Sequence, residues 1–216
     1  MITGFETVVQ KAFGVQLTPK QVRNLTGYVS LLRDWSVRVR LISKGDRDSI
    51  WERHIIDCLA AVPSLPSTGT LLDFGSGAGL PGIPLAIVLP QIQVHLLEPA
   101  RMKALFLNQV VKDLGLSNVT VLRARSEELI QDGDFREKYE YIIARAVSAL
   151  PNLWNMASPL LSPSGELVAL KGPNVDEELI GLPQEDLHRD IRSYTLPLAH
   201  RERTLVTLRH VSRETF

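Results

Sequence analysis

A glycine-rich stretch at residues 71–82 constrains the fold of this chain more than any other feature. An apolar run ends at Asp73, and glycines follow at alternate positions over 75–79. The run predicts a short buried strand, the glycines a tight turn, and residues 83–89 a helix. Such a unit can bind a nucleotide, because glycine permits close backbone approach and a helix N-terminus offers free N–H groups. An ordinary glycine-rich turn is the alternative, and the rest of the chain has to decide.

The composition is that of a protein with a folded core. Hydrophobic residues make up 44% of the 216 residues, enough for one large domain or one domain with an extension. The single cysteine, Cys58, excludes a disulfide framework and a cysteine-based zinc cluster, and it fits a reducing cytosol. No apolar stretch approaches the ~20 residues that a bilayer-spanning helix needs, and the first residues lack the features of a signal peptide. We therefore expect a soluble cytoplasmic protein.

The predicted elements divide the chain at a proline- and serine-rich linker over residues 63–69. Amphipathic patterns before the linker predict helices over 4–14, from Thr18 as N-cap to Trp35, and over 50–62. After the linker, strands and helices alternate. The strands are predicted at 70–74, 93–97, 119–122, 139–144 and 166–170, and the helices at 102–114, after a cap at Ser126, at 150–161 and at 175–181. We therefore expect an N-terminal helical extension over residues 1–66 and an α/β domain over 67–216.

Two further strands, at 191–196 and 205–209, close the chain without a helix between them. The five preceding βα repeats predict a parallel sheet covered on both faces, since parallel crossovers place helices there. The closing pair predicts an antiparallel hairpin at the edge of the sheet, with its loop at 197–203. The predicted fold class is α/β and Rossmann-like: a seven-stranded, mostly parallel sheet with an N-terminal helical extension.

Two nucleotide ligands compete for the glycine turn, a dinucleotide and S-adenosylmethionine. The spacing of Gly77, Gly79 and Gly82 matches the dinucleotide fingerprint, which alone is a weak signal. Asp73 favours S-adenosylmethionine, because a carboxylate there faces a pyrophosphate unfavourably but suits the cationic end of a methionine-like ligand. The extra Gly75 also lets the backbone turn under a nucleoside. Glu98, at the end of the second strand, suits the ribose hydroxyls of either ligand and decides nothing.

The stretch from Leu71 to Leu85 resembles motif I of the RsmG (GidB) family, the bacterial 16S ribosomal RNA guanine-N7 methyltransferases. Its tail at residues 80–84 separates this family from other S-adenosylmethionine enzymes. Further matches follow in the family's order at residues 53–57, 125–128, 144–146, 169–172 and 202–206. The resemblance covers nearly the whole chain. It implies that S-adenosylmethionine is the methyl donor and that guanine 527 of 16S rRNA, or of a small-subunit precursor, is the acceptor.

The resemblance also implies roles for single residues on the cofactor side. Gly75 and Leu80 would line the site, Glu98 would hold the ribose, and Ser126 and Glu127 would lie beside the adenine. With the remaining turn residues, the candidate cofactor-binding set is Asp73, Gly75, Gly77, Gly79, Leu80, Glu98, Ser126, Glu127 and Arg145.

On the acceptor side, the resemblance implies that Arg145 lies beside both the cofactor and the target base. Ligands of doubly wound sheets bind beyond the carboxyl ends of the strands, which is where Arg145 and Lys171 fall in the predicted order. These two are the candidate catalytic residues, and His54 and Arg203 would face the RNA with Lys171. The alternatives are a surface ion pair for Arg145 and a structural core histidine for His54.

The charge distribution suggests where RNA would be contacted. Net charge is zero, from 24 basic and 24 acidic residues, so composition alone gives no argument for nucleic-acid binding. Between residues 20 and 53, however, basic residues outnumber acidic ones by eight to four. A solvated helix face is the alternative. Because an enzyme acting on rRNA needs phosphate contacts, we predict that Arg38, Arg40, Lys44 and Arg47 bind RNA.

The residues agree with attack by N7 of guanine. The only thiol, Cys58, lies in an apolar helix pattern, so a cysteine nucleophile for a pyrimidine target is not expected. Residues 144–147 lack the proline-rich motif of enzymes that methylate exocyclic amines. The N7 atom has its own lone pair and needs no general base. The histidines show no ligand spacing, so no metal is expected, and a monomer is the default.

One departure from the family keeps other functions open. The family carries two asparagines and a threonine near Trp35, and all three are absent from residues 35–42. A non-catalytic RNA-binding protein on the same scaffold is therefore one alternative. A nicotinamide-dependent oxidoreductase, based on the glycine spacing, is the other.

Overall fold

A seven-stranded sheet runs through the chain in a computed structural model that describes residues 4–211. The strand order is β3-β2-β1-β4-β5-β7-β6. Strands β1 to β5 are parallel, whereas β7 runs antiparallel to both β5 and β6. The predicted fold class and the hairpin at the edge are confirmed. The strands are β1 Gly69–Phe74, β2 Ile92–Leu97, β3 Val119–Leu122, β4 Tyr139–Arg145, β5 Leu161–Lys171, β6 Leu187–Leu196 and β7 Arg201–His210.

Helices precede the sheet and connect its parallel strands. They are α1 Phe5–Phe13, α2 Pro19–Trp35, α3 Ile56–Leu59, α4 Gly82–Val88, α5 Arg101–Leu114, α6 Ser126–Gln131, α7 Leu150–Ala157 and α8 Asp176–Ile180. Helix α2 begins with a capping box: Thr18 accepts a hydrogen bond from the backbone N–H of Gln21, whose side chain in turn accepts one from Thr18. A π-helical turn over Trp51–Ile55 leads into α3. Gly115, with φ of 62°, ends α5 as the sequence predicted.

The N-terminal helices share a hydrophobic core with the sheet. Leu25, Tyr28 and Ile55, all fully buried, belong to the same cluster as Leu71 in β1 and Ile83 in α4. A second cluster fills the opposite face of the sheet, with Trp154 and Leu150 of α7 against Leu72, Ile142 and Leu167. Both faces are thus covered, as a parallel sheet requires. The division of the chain at residue 66 stays a prediction.

Two polar contacts fix α2 against the unit that follows β1. The Tyr28 hydroxyl, fully buried, donates a hydrogen bond to the backbone oxygen of Ala78 at 2.7 Å. The Gln21 side chain donates to the backbone oxygen of Val88, at the end of α4, at 2.9 Å. The N-terminal helix therefore holds both the glycine turn and the helix after it.

The structure differs from the predicted elements at several places. The α-helix predicted over 150–161 ends at Ala157 and is followed by a 3-10 turn over Ser158–Leu160, because Pro159 has no N–H to continue the α-helical hydrogen bonds. Strand β5 consequently begins at Leu161, not at 166, and its register against β4 shifts before Glu166. The predicted cap at Ser126 is wrong: Arg125 occupies the cap position, and the Ser126 hydroxyl donates to the Glu127 carboxylate.

The closing hairpin is also longer than predicted. Strand β6 begins at Leu187 and β7 at Arg201, so the loop shortens to residues 197–200. The pairing of Leu196 with Arg201 and of Tyr194 with Arg203 brings basic residues that the prediction placed in the loop into the sheet.

Among residues 4–211, no helix could span a membrane. Helix α2, with 17 residues, is shorter than the ~20 apolar residues that a bilayer core requires.

Candidate active site

The glycine turn after β1 has a backbone that other residues would strain. Gly75, Gly77 and Gly79 have φ values of 73°, 58° and 83°, in the left-handed region. A Cβ atom on Gly79 would lie 2.6 Å from Ile83 Cγ1, and one on Gly82 would lie 2.5 Å from the Asp73 carboxylate. The turn is therefore pressed against the start of α4, and glycine is needed for space as well as for φ.

Two buried carboxylates lie against this turn. Asp73, 1% exposed, accepts a hydrogen bond from the backbone N–H of Gly82 at 3.0 Å, and its other oxygen has no partner among residues 4–211. Glu98 accepts hydrogen bonds from the backbone N–H groups of Gly77 at 2.9 Å and Ala100 at 2.8 Å. Burial raises the pKa of Asp73 to about 7, although the Gly82 N–H favours its charged form. Both carboxylates hold the turn in place, and their contact with a cofactor stays a prediction.

An apolar cavity of about 200 Å³ opens beside the turn. It brings together three of the predicted cofactor residues, Gly75, Ser126 and Glu127. The other lining residues are Phe74, Leu97, Pro99, Ala124, Arg125, Val147 and Met156. Apolar walls with a few polar groups at the rim fit a flat heteroaromatic base such as adenine. The structure does not bring Leu80 into this cavity, because its side chain is 6% exposed and packs into the core.

A second cavity, of about 310 Å³, brings together four residues predicted for the acceptor side, His54, Arg145, Lys171 and Arg203. Arg145 and Lys171 end β4 and β5, and Arg203 lies near the start of the antiparallel β7. All three therefore lie where the parallel strands have their carboxyl ends. The other lining residues are Asp46, Arg53, Asp57, Ala146, Leu170 and Gly172. We refer to it below as the cationic cavity.

Acidic side chains that sequence reasoning missed surround these cations. Asp57 forms ion pairs with Arg145 at 3.1 Å and with Arg203 at 3.4 Å, and Asp46 pairs with Arg53. The spacing of His54 and Asp57, three residues apart on a helical pattern, was the available signal, since such residues share a face. What the sequence does not show is that three different strands converge on that face.

Lys171 also has partners within the chain. Its Nζ atom donates to the backbone oxygen of Ser148 at 2.7 Å and pairs with Glu178 at 2.6 Å. Glu178 in turn accepts a hydrogen bond from the backbone N–H of Leu150 at the start of α7. Lys171 therefore ties β5 to α7 and α8, and its role at the reaction centre stays a prediction.

Two consecutive residues after β4 line the two cavities. Ala146 lines the cationic cavity, and Val147 lines the apolar one. Ala146 has a φ of 56°, which is uncommon for a residue with a side chain and turns the chain between the cavities. A nucleoside in the apolar cavity would thus have its far end beside the cationic cavity.

The four predicted RNA contacts near the N-terminal helices are not equivalent. Arg38, Arg40 and Lys44 are all exposed at the surface. Arg47 is half-buried, and its guanidinium donates a hydrogen bond to the backbone oxygen of Ser36. The structure therefore gives Arg47 a partner within the chain, where it holds the segment after α2, and the other three can extend toward RNA.

Cys58 is a core residue, as the sequence predicted. Its side chain is fully buried, and burial raises the pKa of its thiol to about 12, so the thiolate that a nucleophile needs is not formed near neutral pH. Within the described part of the chain, no group of three or more His, Cys, Asp or Glu side chains is placed to hold a metal ion.

Comparison with known proteins agrees with this geometry. The family model GidB, described as rRNA small subunit methyltransferase G, matches residues 21–207. A ribosomal RNA small subunit methyltransferase G of Acetivibrio thermocellus is 33% identical over 206 residues, covering 91% of this chain and 84% of the relative. That of Marinobacter nauticus is 37% identical over 202 residues, covering 94% and 92%. The crystal structure of a SAM-dependent methyltransferase from Aquifex aeolicus has the same fold, with a TM-score of 0.56, 19% identity and coverage of 76% and 95%.

The sheet order and the glycine turn after β1 are those of a Rossmann-like α/β fold, which the chain shares with that structure. The chain belongs to the GidB family of rRNA small subunit methyltransferases. Membership decides against both the oxidoreductase and the non-catalytic alternatives. The residues present fit the methyl donor, because the apolar cavity suits its base and the glycine turn admits its backbone contacts.

We expect Gly79→Ala to disrupt the turn far more than Gly77→Ala. At Gly79 the new methyl group would collide with Ile83 and Leu107, at a cost of about 2 kcal/mol or more, whereas at Gly77 the nearest atom is 3.8 Å away and only the left-handed φ is unfavourable. Urea unfolding and calorimetry with S-adenosylhomocysteine measure the two variants. Equal loss of stability and affinity in both would contradict this account of the turn.

His54 should weaken the folded state as the pH falls. Burial and the nearby Arg145 lower the pKa of His54 to about 4, below the ~6.5 of an unfolded chain. Between these two pKa values, only the unfolded chain binds the proton. The free energy of unfolding therefore decreases as the pH is lowered, by at most about 1.4 kcal/mol per pH unit. Urea unfolding from pH 7.5 to 4.5 should show this loss relative to His54→Gln, which does not titrate. Parallel curves for the two proteins would refute the assignment.

Proposed function

We propose that this enzyme transfers the methyl group of S-adenosylmethionine to N7 of guanine 527 in 16S rRNA, free or in an assembling small subunit. The observation that carries the proposal is that two consecutive residues line two different cavities: Ala146 lines the cationic cavity, and Val147 lines the apolar cavity. Family membership supplies the rRNA, and guanine 527 comes from the resemblance.

The proposed reaction is an in-line displacement, for which the bound cofactor supplies an electrophilic methyl group on a sulfonium. Gly75 and the Ser126–Glu127 pair bind and orient the adenosine end in the apolar cavity. Arg145, fixed at the end of β4, lies where donor and base meet and orients the base. Positioning of this kind can supply most of the rate enhancement.

The protonation states in the cationic cavity favour a target that needs no base. His54 places Nδ1 3.1 Å from Arg145 Nη2, so this nitrogen accepts a hydrogen bond and cannot abstract a proton. Its lowered pKa keeps the ring neutral at pH 7. Asp57 forms ion pairs with two arginines, and Lys171 forms one with Glu178. The lone pair of guanine N7 is available without deprotonation, which agrees with this arrangement.

The decisive test is methylation of small ribosomal subunits that lack the modification. Subunits from a bacterial strain deleted for the family's gene are incubated with the purified enzyme and S-adenosylmethionine. Mass spectrometry of 16S rRNA fragments should then show one added methyl group, chemically labile as 7-methylguanine, at guanine 527. Methylation at another atom or nucleotide would overturn the proposed acceptor, and no methylation of subunits or naked rRNA would overturn the proposed substrate.

We also propose that Arg38, Arg40 and Lys44 bind rRNA phosphates. Reversing these three charges to Glu should weaken RNA binding and flatten its salt dependence, by about 0.7–0.9 in the log–log slope for each phosphate that the variant no longer neutralises. Affinity for S-adenosylhomocysteine should not change. The matched control reverses Arg136, Lys138 and Arg209, which lie toward the amino ends of the parallel strands, away from the cationic cavity. Filter binding at several salt concentrations measures the RNA affinity of both variants. An equal loss of affinity in the control would show a non-specific charge effect.

The remaining expectations concern the state of the protein in the cell. We propose that the enzyme acts in the cytoplasm, where the small ribosomal subunit is assembled. We also propose that it works as a monomer and without a metal ion; the described residues converge on no metal site. Sedimentation equilibrium and activity after treatment with EDTA test the oligomeric state and the metal independence.

A further inference from the structure

A buried carboxylate, that of Asp57, joins the arginines of the cationic cavity. Asp57 is 3% exposed. Its Oδ2 atom accepts a hydrogen bond from Arg145 Nη1 at 3.1 Å, while Oδ1 accepts one from the Tyr194 hydroxyl at 2.8 Å and lies 3.4 Å from Arg203 Nε. One side chain of α3 therefore binds three others, which come from β4, β6 and β7.

The guanidinium of Arg145 is held at two points by neighbouring residues of one helical segment. Asp57 binds Nη1, and His54 Nδ1 lies 3.1 Å from Nη2. Because a guanidinium is planar and its donors form a rigid fork, contacts on two different nitrogens fix its plane. The N–H groups that remain on Arg145 then have a fixed direction at the cavity that this residue lines.

The closing hairpin is fixed by the same carboxylate. Tyr194 and Arg203 are directly opposed in the β6–β7 register, so both side chains reach the same oxygen of Asp57. A residue near the N-terminus thereby sets the position of the last two strands relative to β4. Buried ion pairs are weak contributors to stability, because well-packed apolar residues often serve as well. Orientation of the arginines is the better account of this network.

The charges in the cationic cavity give a second reason to assign Asp57 a role in the reaction. Four cations line the cavity: Arg53, Arg145, Lys171 and Arg203. Arg53 pairs with Asp46 and Lys171 with Glu178, whereas Asp57 serves both Arg145 and Arg203. Attack by N7 leaves the guanine positively charged, and unpaired cations beside it would raise the barrier.

We propose that Asp57 is a positioning residue for the methyl transfer. It orients Arg145 and Arg203 toward the base, and its negative charge offsets the charge that develops on the guanine. The inference rests on the proposed function, because only a ring nitrogen that attacks with its lone pair leaves the base cationic.

The test compares Asp57→Asn with the wild-type enzyme on small subunits that lack the modification. The amide keeps the size of the side chain but removes the charge and one acceptor. We expect kcat to fall about 100-fold, the loss typical of a misplaced reacting group. Affinity for S-adenosylhomocysteine should stay constant, and RNA binding should stay equal or become tighter, because the cavity gains net positive charge. Glu166→Gln, which removes a carboxylate paired with Arg209 at the opposite edge, should keep the wild-type kcat.

A double variant separates positioning from a general structural effect. Because part of the effect of Asp57 passes through Arg145, Asp57→Asn should cost clearly less in an Arg145→Lys background than in the wild type. The fork that it orients is already absent there, and only its charge and its contact with Arg203 remain to be lost. A full multiplication of the two losses would overturn the proposal.

Three other results would also overturn it. The first is a kcat for Asp57→Asn within about threefold of the wild-type value. The second is a loss of cooperative unfolding in this variant. The third is a fall in its RNA affinity that accounts for the whole loss of activity. A wild-type enzyme that leaves guanine 527 unmethylated would refute the proposed function itself. An active wild type with an unaffected Asp57→Asn would refute only this inference.

Discussion

The glycine turn after β1 depends on hydrogen bonds from its own backbone to carboxylates buried beneath it. Asp73 and Glu98 accept from Gly82 and Gly77, and these N–H groups lie where no carbonyl of a helix or strand reaches them. Hydrogen bonds to carboxylates are stronger than neutral ones, and a buried N–H without a partner is costly. Because the turn lies between β2 and β4, fixing it also fixes the apolar cavity on one side and Arg145 on the other.

The two cavities differ in the interactions by which they would bind the proposed ligands. The apolar cavity selects by shape, with backbone and apolar side chains around a small volume. The cationic cavity has an internal acidic partner for each of its cations, so it presents directed donors more than a bare positive field. On the proposed function, such an arrangement would orient a base and would release product RNA faster than four unpaired cations would.

The sequence predicted the fold well because hydrophobic periodicity and turn residues are local signals. The strands at 70–74 and 119–122, the cap at Thr18 and the glycine at 115 all depend on residues close in the chain. The end of α7 at Ala157 was missed although Pro159 is a local signal. The longer hairpin was missed for another reason: the pairing of Leu187 with His210 depends on two distant segments.

The candidate site divides in the same way. Arg145 and Lys171 line the cavity because both end strands of the parallel sheet, as their predicted positions imply, and their roles stay predictions. The acidic partners were missed, because an aspartate in a helical pattern is ordinarily a solvated residue, and nothing local shows that Asp57 faces β6 and β7. Leu80 and Arg47 were assigned by position in a motif or a charge run, and the burial of one and the backbone contact of the other depend on the packed structure.

The placement of Asp57 has a consequence for how the protein is made. Its hydroxyl partner, Tyr194, follows it by 137 residues, and Arg203 comes later still. During synthesis the carboxylate therefore leaves the ribosome long before the hairpin that completes its surroundings, and until then it must remain hydrated. The cationic cavity is thus complete only after the closing hairpin has been translated.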